Sequence, residues 1–209
     1  MTGYSDTFSQ DPRRHAPATE RNREPILAVL KTLITGPATI LEIASGTGQH
    51  AVWFAGRLPD VTWIPSDADE EMRASVAAWA RREKVRNIAL PPRVIDARAR
   101  RWNMESVDGV YCANMIHISP YSACEGLIKG AGACVRPGGF LMLYGPYKVE
   151  GEHTAPSNAS FDETLRSQNA DWGIRDLEAV TALAEAAGFE PEEPVEMPAN
   201  NLSVIFRKL

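Results

Sequence analysis

The sequence is short of cysteine. Its 209 residues contain three, Cys112, Cys124 and Cys134, and no two of them form a Cys-x-x-Cys pair. An odd count at irregular spacing argues against a disulfide framework and favours a reducing, cytoplasmic setting. All three lie in apolar segments, where a thiol packs as a small hydrophobe. The chain also lacks an apolar run long enough to span a membrane. Met1 to Gln10 is polar and has no hydrophobic stretch of the kind a secretory signal needs. A basic excess is missing too: 22 Lys and Arg against 27 Asp and Glu give a formal charge of −5. That balance argues against a nucleic-acid backbone as partner, which calls for clustered cations. The local exception, Arg98-Ala99-Arg100-Arg101, reads as a solvated turn. No repeat, linker or metal-ligand spacing is evident, and the length fits one domain with a sizeable core.

What remains is an alternation of helical and strand patterns. Residues 1–17 are polar and contain proline, and read as a flexible segment ahead of a single domain over 18–209. A helix is expected to begin at Thr19 within a covering element over 18–36. Its apolar positions Ile26, Leu27, Leu30, Leu33 and Ile34 have helical spacing, Pro25 sits near the first turn, and Gly36-Pro37 ends it. Strands are expected at Ala38 to Ala44, Val61 to Asp67, Val94 to Asp96, Val107 to Met115 and Phe140 to Tyr144. Helices are expected from Gln49 to Leu58, over 69–84, from Pro120 with Ser119 as N-cap up to Pro137-Gly138-Gly139, and from Ile174 to Ala187. Leu202 to Phe206 is the stronger of two strand candidates after Pro194. This rhythm predicts an α/β protein with a mostly parallel sheet and helices on both faces. Residues 148–173 break the rhythm; long, polar and without a clear period, they read as a lid or substrate loop.

The strongest chemical signal is the loop Glu42-Ile43-Ala44-Ser45-Gly46-Thr47-Gly48 between the first strand and the next helix. Gly46 and Gly48 permit a tight turn and close approach of backbone to ligand, and the helix start offers free N–H groups. Asp67 ends the second strand, where a carboxylate can bond ribose hydroxyls. Asp96 ends the third and is placed to bond an adenine amino group, with Ala97 beside it. Asn114 ends the fourth, next to the same crevice. A dinucleotide fingerprint would need glycine at position 51, and the residue is Ala51. The acidic Glu42 would repel a pyrophosphate but can hold a sulfonium or ammonium electrostatically. The loop therefore reads as an S-adenosylmethionine site, assigned to Glu42, Ala44, Ser45, Gly46, Gly48, His50, Asp67, Asp96, Ala97 and Asn114.

Glu42 to Gly48 resembles the glycine-rich motif of class I methyltransferases, with Ala44 in place of the first glycine. Longer strings, Ala18 to Leu27, Leu41 to Ala51, Cys112 to Pro120, Leu143 to Lys148, His153 to Asn158 and Met197 to Leu202, resemble the methyltransferase-like protein 26 family. The resemblance covers the chain from Ala18 onward. It implies a Rossmann-like sheet of seven strands whose last strand is antiparallel, and it implies S-adenosylmethionine. It does not imply a substrate.

Methyl transfer is an in-line displacement, so the main demand is to place a nucleophile about 3 Å from the methyl carbon. His117, just past the fourth strand, is the candidate base; the alternative is a histidine that orders the loop or touches the cofactor. Arg21, Asn22, Tyr144, Tyr147, His153 and Asn158 are candidates for the acceptor pocket. Asn200-Asn201 reads as a turn. The GxxxG spacing of Gly126 and Gly130 reads as close helix packing. The expected function is methylation of an O or N atom of a small polar metabolite. The alternatives are a cofactor-binding protein without transferase activity and, behind it, a nicotinamide-dependent reductase.

Overall fold

The computed structural model describes residues 11–209. Residues 1–10, part of the segment expected to be flexible, lie outside the described residues. Residues 11–16 do not hang free. The Arg14 amide donates to Ser75 Oγ (2.8 Å), the Ala16 amide to Gln49 Oε1 (2.6 Å), and the Trp79 indole to the Arg14 carbonyl (2.9 Å). This strap leads into α1 (Pro17–Leu33), which starts two residues before Thr19 with proline in its first turn. Pro25 consequently falls midway along α1 rather than near its start. It has no N–H to give, so the Arg21 carbonyl loses its helical partner.

Strand β1 (Ala38–Ile43) is mostly apolar, and Ile40, Leu41 and Ile43 are fully buried within it. It leads into α2 (Gln49–Ala55), β2 (Val61–Asp67) and α3 (Glu70–Glu83). Helix α3 is N-capped by Asp69, which accepts from the Glu71 and Met72 amides. Strand β3 is only Arg93–Val94, so Asp96 lies beyond it in an exposed turn. Strand β4 (Val107–Ala113) is followed by a short 3-10 turn over Met115–His117 and by α4 (Tyr121–Cys134). Ser119 is not the cap of α4; its hydroxyl is spent on the Met115 carbonyl (2.7 Å), and Pro120 occupies the cap position. Nor does Pro137-Gly138-Gly139 stop α4. The helix ends at Cys134, and that tripeptide lies inside β5 (Val135–Gly145), which is irregular where it pairs with Val107 and Gly109.

The stretch over 148–173 is ordered secondary structure rather than a loop. A hairpin of β6 (Tyr147–Val149) and β7 (Glu152–His153) precedes α5 (Pro156–Gln168), and β8 (Arg175–Asp176) pairs with β6 to make a three-stranded sheet. Helix α6 (Leu177–Ala186) is capped by Asp176 and so starts three residues later than expected. The chain closes with β9 (Phe189–Pro191), β10 (Val195–Met197) and β11 (Asn201–Lys208).

The main sheet runs β10-β11-β5-β4-β1-β2-β3, and β9 pairs with β11 beside β10. Strands β3, β2, β1, β4 and β5 are parallel; β11 is antiparallel to β5, as expected for the last strand. The edge strand is broken into β9 and β10, so eight segments replace the seven expected strands. Helices α4 and α6 cover one face through Leu127, Ile128, Val180 and Ala184. Helices α1, α2 and α3 cover the other through Leu30, Phe54 and Val76. Strand β5 shows the alternation that builds two cores: Leu141 and Leu143 enter the first, Met142 and Tyr144 the second. Among the described residues, no helix is long and apolar enough to cross a membrane. The order reverses between β1 and β4, and ligands of open α/β sheets settle at the C-terminal strand ends beside such a reversal.

Candidate functional site

The loop after β1 is wound in left-handed backbone. Ala44, Gly46 and Gly48 have φ of 54°, 54° and 83°. Glycine is required at position 48 twice over, because a side chain there would also meet the Val76 Cα at 2.6 Å. Two carboxylates hold the loop. Asp67 Oδ2 accepts from the Gly46 amide (2.9 Å) and Oδ1 from the Asp69 amide (2.9 Å). Glu42, almost wholly buried, accepts from Ser45 Oγ (3.0 Å) and from the Trp63 indole (2.9 Å). Burial raises the Glu42 carboxyl to about 7, opposed by those two hydrogen bonds and reinforced by the nearby charge of Asp67. Two acids thus converge on one turn, Asp67 on its backbone amides and Glu42 beneath it. The Glu42 side chain is sealed under the loop.

Other residues assigned to the cofactor are placed unevenly. Ser45 is buried in the turn, and its Oγ also accepts from the Ser66 amide (3.1 Å). His50 bonds Asn22 Oδ1 (2.8 Å) and stacks on Phe54; burial and Arg23 lower its pKa to about 4, so it is neutral. Asp96 lies past the end of β3. Its carboxylate is held by Arg98 through Nε (3.1 Å) and Nη2 (2.7 Å) near the surface. Ala97 is buried because its carbonyl lies where a Gly126 side chain would be, 2.2 Å away. Close packing of α4, as the GxxxG spacing suggested, is thus against the loop after β3: Gly126 on Ala97 and Gly130 on the Trp102 ring.

A cavity of about 800 Å³ opens at the ends of β4 and β5. It brings together four of the six acceptor candidates, Arg21, Asn22, Tyr144 and Asn158, with Asn114 of the cofactor set. Helix α1 supplies Arg21 and Asn22, β5 supplies Tyr144, and α5 supplies Asn158. Asn114 turns with φ of 59° and donates its amide to the Tyr144 carbonyl (2.8 Å), tying β4 to β5 at the rim.

Tyr147 and His153 are not in the cavity. The former is a core residue on the α4 side, and burial pushes its phenol well above its usual pKa. The latter faces Asp162 (3.5 Å), which also gathers Arg166 (3.0 Å) and Lys148 (3.7 Å) and accepts from the Ile174 amide (2.6 Å). That cluster pins α5 to the hairpin and to β8. His117 is also sealed, at 1 % exposure. Its Nδ1 lies 3.4 Å from the Arg175 amide, and its Nε2 sits 2.5 Å from where a Gly145 side chain would begin. Burial and the Arg175 guanidinium lower its pKa to about 3. His117 does not line the cavity, and its buried Nε2 has no hydrogen-bond partner among the described residues.

Sequence reasoning missed Ile118, Phe161 and the turn Pro198 to Asn201 as cavity lining. The signal available was Asn200-Asn201 ahead of the last strand. Ala199 and Asn200 have φ of 59° and 57°, an unusual pair that helps shape the cavity wall.

Comparison with known proteins follows this geometry. The family model described as "Protein of unknown function (DUF938)" matches residues 13–208. The chain belongs to the DUF938 family. Solved structures similar to this DUF938 protein include an O-methyltransferase family 2 protein from Planctomyces limnophilus in complex with apigenin. It is 18 % identical with a TM-score of 0.78, over 92 % of this chain and 58 % of that one. An O-methyltransferase family protein from Burkholderia thailandensis is 17 % identical with a TM-score of 0.76, over 91 % and 57 %. Human N-acetylserotonin methyltransferase in complex with SAM is 15 % identical with a TM-score of 0.72, over 91 % and 52 %. The DUF938 chain has the Rossmann-like fold of class I methyltransferases, and it spans a little over half the length of these structures.

Proposed function

We propose that this DUF938 protein is an S-adenosylmethionine-dependent methyltransferase acting on an O or N atom of a small polar metabolite, similar to the methyltransferase-like protein 26 family. The observation that carries the reading is one juxtaposition. A left-handed turn braced by Asp67 and Glu42 lies beside a cavity framed by Arg21, Asn22, Asn114 and Tyr144. The donor set fits a nucleoside that also carries positive charge. Asp67 keeps lone pairs for ribose hydroxyls beyond its two amide bonds, and the paired acids favour a sulfonium and an ammonium. Bound S-adenosylmethionine would supply an activated methyl group. The chain's own part is to hold that group and to orient the acceptor in a cavity shielded by α1 and α5.

Among the described lining residues of the cavity there is no His, Asp, Glu, Lys or Cys. The acceptor must then bring a nucleophile that needs no strong base from the protein, such as an uncharged amine or an acidic hydroxyl. The same observation keeps the second reading in play, a cofactor-binding protein without transferase activity.

Isothermal calorimetry with S-adenosylmethionine tests the cofactor. Binding is expected, weakened at least about tenfold in Asp67→Asn, since a charge-assisted hydrogen bond contributes on that scale. No heat, or an unchanged affinity in the variant, defeats the assignment. Label transfer from methyl-labelled cofactor to a metabolite extract separates the enzyme from the non-catalytic reading.

A further inference from the structure

We propose that the cavity takes a small carboxylic acid with an apolar body and a hydrogen-bond donor at its far end, bound acid-first against Arg21 and Asn22. This rests on reading the cavity as the methyl acceptor's site. Charge is the first observation. In a chain of net charge −5, Arg21 is the one charged residue among the described lining. It is exposed, and among the described residues it has no ion-pair partner.

Hydrogen-bond polarity is the second, independent observation. On the α1 side, Asn22 is buried and its Oδ1 faces His50 Nε2 (2.8 Å). With the neutral imidazole as donor, the Asn22 amide is left to donate; one hydrogen turns to the Tyr144 hydroxyl, which leaves the second and the Tyr144 O–H to be given. Donors therefore dominate this wall. On the opposite wall the order is reversed. Asn158 Nδ2 donates to Thr154 Oγ1 (3.0 Å) and to the Asn200 carbonyl (2.9 Å). Asn200 Nδ2 donates to Ser157 Oγ (3.0 Å), and Asn201 Nδ2 to the carbonyls of Pro198 (2.9 Å) and Ala199 (3.2 Å). With both amide hydrogens of Asn158 and Asn201 engaged, and one of Asn200, this wall presents mainly carbonyl oxygens. A ligand that satisfies both walls has acceptors and negative charge at one end and an N–H or O–H at the other.

The body between is apolar. Phe161 and Ile118, 42 % and 45 % exposed, are two large hydrophobic side chains left in solvent, and both line this cavity. A ligand with an apolar body would take both side chains out of water.

Calorimetry with four probes, each in the presence and absence of S-adenosylhomocysteine, tests this. The probes are 4-hydroxybenzoate, its amide, 4-methylbenzoate and 4-hydroxybenzylamine. The acid is expected to bind about tenfold more tightly than the amide, and the hydroxyl compound more tightly than the methyl isostere. Arg21→Gln is exposed and should fold; it is expected to erase the preference for acid over amide. Arg21→Glu is expected to turn the preference toward the amine. The inference is overturned if amide and acid bind alike, if the preference survives in Arg21→Gln, or if no acid saturates by about 10 mM. The two readings separate in the same titrations. Homocysteine-cofactor binding without an acid preference removes the acid and leaves the methyltransferase. Arg21-dependent acid binding without any cofactor binding does the reverse.

Discussion

Ala44 is the residue at which sequence and backbone disagree most openly. It stands where the general methyltransferase motif has glycine, yet its φ of 54° is the conformation glycine would take freely. A left-handed non-glycine residue carries about 1–2 kcal/mol of steric strain. Ala44→Gly releases it, but also loses part of a methyl packed against the α4-side core and loosens the unfolded chain, together about 1 kcal/mol. The expected result is a net stabilisation of under about 1 kcal/mol in urea denaturation. A loss exceeding that value would mean the methyl, not the strain, decides the position. The placement of the glycines, Asp67 and Glu42 around one turn was legible in the sequence because it follows from strand ends and spacing. The burial of His117 was not. Its position after β4 pointed to the crevice, whereas the 3-10 turn rotates the ring under Gly145, and no local pattern announces that rotation.

Helix α5 shows why a whole element can escape a hydrophobic reading. Its buried positions are Asn158, Asp162 and Leu165, which have helical spacing but only one apolar member. The stripe is polar because it is satisfied by polar partners: Thr154 and the Asn200 carbonyl for Asn158, cations and the Ile174 amide for Asp162. The available signal was Pro156 at the first helical position. Helix α4 was read well, since Leu127, Ile128 and Ala131 bury an ordinary apolar face. Its glycines set a sharper constraint than that face does. A methyl at Gly126 would stand 2.2 Å from the Ala97 carbonyl oxygen, a backbone atom with little room to move. Gly126→Ala is therefore expected to destabilise the protein by about 1–3 kcal/mol, the range for forced overpacking, with a lowered urea midpoint. Stability equal to wild type would show that the loop from Ala97 to Trp102 is free to lift off α4.

At the scale of the whole molecule, three titratable groups, two of them sealed and His50 partly buried, set how stability follows pH. His50 and His117 have pKa values lowered to about 4 and about 3, and Glu42 has one raised to about 7. Each histidine is favoured neutral in the fold, so its contribution is full above the unfolded value near 6.5 and is lost as pH falls below it. Glu42 is favoured protonated, so its contribution is full below the unfolded value near 4.5 and is lost as pH rises toward 7. Between pH 4.5 and 6.5 the unfolded chain holds two more histidine protons and one fewer carboxyl proton than the folded chain. The net difference is one proton, and stability should climb by about 1.4 kcal/mol per pH unit across that window. Carboxylates with lowered pKa, such as Asp96 and Asp162, act below it. Above pH 6.5 Glu42 alone remains, and stability should ease downward to about pH 7. Urea midpoints measured at half-unit steps should thus peak near pH 6.5. His117→Gln should flatten the rise between pH 4.5 and 6.5, because one histidine then cancels Glu42. Glu42→Gln should roughly double it, because two histidines then act unopposed. A rise left unchanged in both variants would mean that these groups titrate in the folded protein as they do in the unfolded chain, and that the two faces of the sheet are wetter than their packing indicates.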